Sequence, residues 1–309
     1  MQPRHRTTRR EFLDRSLHVG AAGLIATPLA MSQRASAEDA GKPPWQIGCY
    51  TRPWGRDEYR VALDAIAEAG FKYAGLMTTK SKNGLVISVE TSLEEARQVG
   101  EECKKRGLQV PSVYGGDIPV ATSLEAGVEG LRKLIDNCVA AGAANLMMGG
   151  VGDAKLYDPY YKAIAECCDY AAKKGIGISV KPHGGLNATG PQCRKTVETV
   201  GHANFRIWYD PGNIFYYSDG KLDPVKDAAT VDGLVVGMSI KDYRPPKDVE
   251  LTPGTGQVDF TKVMARLKAG GFTSGPLIIE CLAPGDLDQT LAEAKKARQF
   301  VEQLVTQQT

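Results

Sequence analysis

The chain reads as an α/β protein, a (β/α)8 TIM barrel, on three observations. From residue 45 onward, eight short β-rich runs alternate with amphipathic stretches without a break, and strict alternation implies a parallel sheet. Eight such units in about 265 residues match the usual length of that barrel. Charged and polar residues gather just after the β-rich runs, whereas the other ends are Gly- and Lys-containing turns. In a barrel, function sits at the C-terminal ends of the strands. A doubly wound open sheet is the alternative, but no Gly-rich phosphate-binding turn follows the first run.

The elements follow in order. QIGCYT (46–51) is the first strand, and YRVALDAIAEAG (59–70) the first helix. KYAGLM (72–77) precedes SLEEARQVGEECKKRG (92–107), where Ser92 and Glu95 form a capping box. LQVPSVY (108–114) precedes SLEAGVEGLRKLIDNCVAAG (123–142), with Ser123 as N-cap but Ala126 three residues on. ANLMMGG (144–150) leads to YYKAIAECCDYAAKKG (160–175). GISVK (177–181) and FRIWYD (205–210) are the fifth and sixth strands. VVGMSIK (235–241) precedes FTKVMARLKAGG (260–271), and PLIIE (276–280) precedes LDQTLAEAKKARQFVEQL (287–304). Apolar residues recur at three and four in the helices, several of which stop on Gly.

The first 44 residues read differently. Arg9 and Arg10 precede Phe12 and Leu13, an apolar stretch runs over 16–31, and Ala35-Ser36-Ala37 fits a cleavage site. This is a secretory signal over residues 1–37, resembling the twin-arginine type, with 38–44 a linker and 45–309 a single barrel domain. The expected location is periplasmic or otherwise exported, with no stable membrane insertion after signal removal. Residues 1–37 hold six Arg against Glu11 and Asp14, so their removal turns a net charge of +2 into −2. That balance, with only His183 and His202 left, argues against a nucleic-acid partner or a histidine-rich nuclease centre. The seven cysteines lack any CxxC and fall in apolar patterns, which is core usage rather than a disulfide framework.

The strand ends carry the candidate chemistry. They are Tyr50-Thr51-Arg52 with Trp54, Tyr114 through Asp117, Gly149-Gly150, Lys181-Pro182-His183, Asp210 through Asn213, Ser239 through Asp242, and Glu280. Four of these, KPHGG, WYDPGN, SIKDYR and IIE, together with GTGQVDF (254–260), resemble the xylose isomerase-like sugar phosphate isomerase/epimerase barrels in order and spacing. The resemblance implies a small carbohydrate substrate, proton transfer next to a carbonyl, and a divalent metal held by Glu, Asp, His and Glu from strands 5 to 8. Asp210 and Glu280 stand at two of those positions. Lys181 replaces the strand 5 Glu and Ser239 the strand 7 His.

Replacing Glu by Lys changes the charge by as much as a divalent ion supplies. The Lys181 ammonium is therefore expected between Asp210 and Glu280, in the metal's place, and no cofactor is required. On this reading Lys181 stabilises an oxyanion, Glu280 shuttles the proton, Asp210 orients the lysine or holds a substrate hydroxyl, and His183 is a second acid/base group. Schiff-base chemistry at Lys181, with Lys241 as its cationic neighbour, is a competing use. A rival arrangement joins His183 to Asp210 and Glu280 as ligands of Mn, Zn or Mg. Tyr50, Arg52, Trp54, Tyr114, Asn213, Ser239, Lys241 and Arg244 are candidate sugar contacts, although the aromatics serve equally well as barrel packing. Asp242 is expected to order its loop. The run IFYYSDG after Asn213 would wall the site or meet a second copy in a homo-oligomer. Two further outcomes stay open: a carbohydrate-binding protein without turnover, and a keto-sugar lyase.

Overall fold

The structure, a computed structural model, describes residues 45–307. The signal and linker readings lie outside the described residues. Eight parallel strands run in chain order: β1 (Trp45–Tyr50), β2 (Tyr73–Gly75), β3 (Val113–Tyr114), β4 (Asn145–Met148), β5 (Gly177–Val180), β6 (Phe205–Tyr209), β7 (Val235–Ile240) and β8 (Gly275–Ile279). β1 pairs with both β2 and β8, and parallel pairing continues stepwise from β8 back to β3. Isolated bridges Leu76↔Val113 and Tyr73↔Gln109 join the two ends and close the barrel.

Helices α1 (Tyr59–Glu68), α2 (Leu93–Lys105), α3 (Leu124–Ala140), α4 (Tyr157–Lys173), α5 (Gly190–Val200), α6 (Pro211–Tyr217), α7 (Pro224–Ala228), α8 (Phe260–Ala269) and α9 (Leu287–Thr306) connect the strands. Their apolar stripes face inward; α3 buries Leu131, Leu134, Ile135 and Cys138, spaced three and four apart. The Ser92–Glu95 capping box is present, and Ser123 caps α3 alone. The expected strand 108–114 contracts to Val113–Tyr114, because Pro111 removes a ladder donor. The helix expected from residue 160 starts at Tyr157 instead, with Pro159 in its first turn, where no intrahelical donor is needed. Among the described residues no helix is long and apolar enough to cross a membrane.

Two cores result. The larger lies between sheet and helices. The smaller fills the barrel interior with Tyr50, Met77, Met147, Trp208 and Ile278, against which Tyr114 packs. Glycine makes room for the large rings. A Cβ at Gly75 would stand 2.2 Å from the Tyr50 ring, and one at Gly237 would stand 2.4 Å from Trp208. This plug supports the polar cluster at the C-terminal ends of the strands. The seven cysteines are all buried and free.

Candidate active site

Lys181 follows β5 directly, Asp210 follows β6, and Glu280 follows β8. Lys181 is 1% exposed, Asp210 0% and Glu280 3%. The Lys181 Nζ lies 2.8 Å from Asp210 Oδ2 and 2.6 Å from Glu280 Oε2. Only the bond to Glu280 is well aligned as a hydrogen bond; Asp210 Oδ2 has the ammonium's charge beside it but no directed donor. Lys241 reaches the same group from β7, donating to Glu280 Oε1 at 2.8 Å and standing 3.9 Å from Asp210 Oδ2. Ser239 donates to Glu280 Oε2 at 2.7 Å and accepts from Trp208 Nε1 at 3.2 Å. Charges this deeply buried persist only when paired, as here.

The surrounding bonds hold that geometry. Asp210 Oδ1 accepts the Asn213 amide at 2.9 Å, which caps α6. The Asn213 side chain donates to the Pro182 carbonyl at 2.6 Å. Asn187 donates to the carbonyls of Lys181 and Gly149, tying the ends of β4 and β5 together. Asp242 is fully buried and accepts four backbone amides, those of Tyr243, Gly254, Gly256 and Val258. It orders the GTGQV loop as expected, and a Cβ at Gly256 would stand 2.4 Å from its Oδ1.

A cavity of about 380 Å³ opens above this cluster. Arg52, Tyr114, Lys181, His183, Asn213, Lys241 and Glu280 all line it. Four other expected contacts do not. Tyr50 points into the barrel plug and donates to Ser112 Oγ. Trp54 is 2% exposed within the outer core. Ser239 lies beneath Glu280, fully buried. Arg244 turns outward to Asp248. Tyr216 and Tyr217 from the IFYYSDG run line the cavity, so that run walls the site. Asn187, Glu250 and the segment around it escaped sequence reasoning, because no periodicity or motif marks a loop residue that acts through a distant partner.

The donor set at these strand ends does not suit a metal ion. The space between Asp210 and Glu280 holds the Lys181 ammonium, and a cation's donors do not ligate a cation. Among the described residues no group of three or more His, Cys, Asp and Glu side chains could hold a metal ion. His183 does not complete a triad with Asp210 and Glu280. After Pro182 the chain turns, the His183 amide bonds to the Asn187 carbonyl, and Gly184 adopts φ 85°. The ring stands between Tyr114 and Tyr217, with centroids 6.0 and 5.9 Å away. The residues present therefore do not fit the metal that the resemblance implies.

Electrostatics distinguish the groups. Burial alone would raise the Glu280 pKa, but Lys181, Lys241 and then Arg52 hold it well below the ordinary carboxylate range. Burial opposes the charge on Lys241, and Glu280 more than offsets this, so Lys241 stays an ammonium. His183 reaches solvent at the cavity mouth, yet withdrawal from water by its neighbours, then the Lys181 charge, lowers its pKa below that of free histidine. At neutral pH it is an imidazole whose ring nitrogens have no hydrogen-bond partner among the described residues. A nucleophilic amine needs an apolar or cationic setting; Lys181 has two carboxylates instead. The arrangement can hold an oxyanion on spare ammonium N–H groups and accept a proton on His183.

Comparison with known proteins places this architecture. A family model described as a xylose isomerase-like TIM barrel matches residues 63–304. Over 116 residues the chain is 28% identical to a "Probable L-ribulose-5-phosphate 3-epimerase" of Mycoplasma pneumoniae, covering 36% of this chain and 37% of that protein. The match thus spans little more than a third of that relative's length. A solved xylose isomerase domain protein from Planctomyces limnophilus superposes with a TM-score of 0.65 at 19% identity, covering 85% of this chain and 98% of the other. A D-psicose 3-epimerase from Clostridium cellulolyticum H10, solved with D-tagatose, gives 0.66 at 13% identity, covering 84% and 99%. At such identities the structural likenesses speak for the fold alone. The family match extends over most of the chain and over every strand end that builds the cavity floor except the first, and on that ground the chain belongs to the xylose isomerase-like TIM barrel family.

Proposed function

We propose that the chain is an exported enzyme that moves a proton on the carbon next to a sugar carbonyl, isomerising or epimerising a small carbohydrate without a metal ion. The observation that carries this reading is the Lys181 ammonium held between Asp210 and Glu280, where the family resemblance implies a divalent cation. The relative named as a probable 3-epimerase supports the reaction class.

The substrate carbonyl oxygen accepts N–H bonds from Lys181 and Lys241, both of which line the cavity. Each ammonium has three donors and spends only part of them on Glu280 and Asp210. His183, neutral and unpartnered, removes the proton from the adjacent carbon. The negative charge moves to the oxygen, where fixed cations stabilise it at little cost in reorganisation. Return of the proton to the former carbonyl carbon, with the adjacent hydroxyl proton passing to the oxyanion, isomerises the sugar; epimerisation takes its proton from solvent on the face opposite His183, which then releases its own proton to water. Glu280 orients the two lysines rather than taking the proton. Its Oε2 already accepts from Lys181 and Ser239 and its Oε1 from Lys241, and a strongly acidic carboxylate is a weak base. This changes the role that the sequence suggested for it.

The engagement of Glu280 also favours a second reading, a carbohydrate-binding protein without turnover. One experiment separates them. The protein is incubated in D2O with EDTA and a panel of pentuloses and ketohexoses, and deuterium is located by NMR. Incorporation next to the carbonyl, lost in Lys181→Met, is the expected result. Binding without any incorporation supports the second reading, incorporation only before EDTA restores a metal requirement, and a product short of a leaving group makes the reaction an elimination. Cell fractionation tests export through the location of the processed chain.

A further inference from the structure

We infer that the substrate carries a carboxylate, a sugar acid rather than a neutral sugar, and that Arg52 binds this carboxylate in exchange for Glu250. The inference rests on the carbohydrate reading above and names its substrate class.

The charges on the cavity floor do not balance among themselves. Lys181 and Lys241 pair with the buried Asp210 and Glu280, and Arg52 lines the same cavity as a third cation with no buried carboxylate of its own. Arg52 belongs to this group electrically, since its charge helps to hold Glu280 ionised. The missing negative charge comes from Glu250, whose Oε1 and Oε2 accept from the two Arg52 amino groups at 2.6 and 3.2 Å. That planar two-point geometry is how a guanidinium takes a carboxylate.

Glu250 differs from the other two acids. Its side chain is 50% exposed, against 0% and 3% for Asp210 and Glu280. It stands at the end of the strap that follows β7. Arg244 and Asp248 exchange backbone bonds there, and Lys247 pairs with Asp219 at 2.8 Å and lies over the Tyr216 ring. The strap residues Lys247 to Glu250 form one wall of the cavity. An exposed carboxylate on an exposed loop is exchanged at little cost, because water replaces its lost bonds. The Arg52 guanidinium, half withdrawn beside the Cys281 sulfur, then requires another anion. A single surplus charge calls for a monoanion, which a carboxylate is and a phosphate monoester, at about −1.5 to −2 near neutral pH, is not.

The test is calorimetric binding of D-glucuronate, D-galacturonate and D-mannuronate, each beside its neutral hexose, with glucose 6-phosphate as the competing anion. Parent, Glu250→Gln and Arg52→Gln proteins are compared in matched buffer. Removing the internal competitor should tighten at least one uronate by about fivefold, the scale of a half-exposed ion pair, with a smaller change for its hexose. Arg52→Gln should weaken the same uronate at least tenfold more than the hexose. Equal gains for uronate and hexose, no gain for any uronate, or a gain confined to the phosphate would each overturn the inference. These readouts need no turnover, so they stand or fall apart from the deuterium experiment. Deuterium exchange on neutral ketoses with no uronate effect would keep the reaction and discard the acid.

Discussion

Replacing Lys181 by Met removes a charge and keeps most of the side-chain volume, so the response reports on electrostatics. The parent ammonium is 1% exposed and sits 2.8 and 2.6 Å from two carboxylates. Deleting one member of a buried ion pair costs about 3–5 kcal/mol. Lys241 continues to serve Glu280 at 2.8 Å but reaches Asp210 only at 3.9 Å, so the loss should sit near the lower end, about 3 kcal/mol. For a barrel of this size that lowers Tm by roughly 6–12 °C. The facing carboxylates find relief by taking up a proton in the folded state alone. The folded variant then binds more protons than the unfolded chain, so its stability falls as pH rises and the deficit is larger at pH 8 than at pH 5. Urea unfolding followed by circular dichroism at both pH values checks this. Lys181→Met with Asp210→Asn should recover most of the loss. A single variant within about 1 kcal/mol of the parent at pH 8, or a deficit indifferent to pH, would refute the pairing argument.

Three further predictions follow from the same geometry. Glu280→Gln leaves Lys181 and Lys241 sharing Asp210 and should cost about 3 kcal/mol at neutral pH. Because the folded Glu280 pKa is depressed, its contribution is full above the unfolded value of about 4.3 and fades only below it; unfolding free energies of both proteins from pH 8 to pH 3 should show a constant gap that narrows below about 4. His183→Asn should reduce deuterium exchange by about a hundredfold or more, and the acid limb of the parent's rate profile should fall below the ~6.5 of free histidine; a limb at or above that value assigns the proton to another group. Gly237→Ala drives a Cβ to 2.4 Å from the Trp208 ring and should cost about 1–3 kcal/mol, measured by urea titration, with a loss under half that range showing that the ring can move aside.

The amino-acid sequence alone determined the barrel and its polar end, and the resemblance to the family added the expectation that Lys181, Asp210 and Glu280 meet there. Alternation and helical periodicity are properties of consecutive residues, set by which face each side chain presents, and so they survive without coordinates. Lys181, Asp210 and Glu280 were readable because each follows an apolar strand, where an unpaired charge would be untenable. The shortened β3 was legible in principle through Pro111, and the short α6 and α7 were not, since five to seven residues carry too little period.

Only the tertiary structure decided which strand-end residues face the cavity. Tyr50 and Arg52 lie two apart in sequence, yet one plugs the barrel and the other lines the pocket. The shear of a closed barrel and the turn after each strand set that difference, and neither is written in local sequence. The same holds for His183, which lines the cavity after the turn at Pro182 without joining the carboxylates in a metal-holding group. It holds most of all for Glu250, separated from Arg52 by 198 positions. Long-range ion pairs form where folded loops bring charges together, and a linear pattern cannot show which distant charge will arrive.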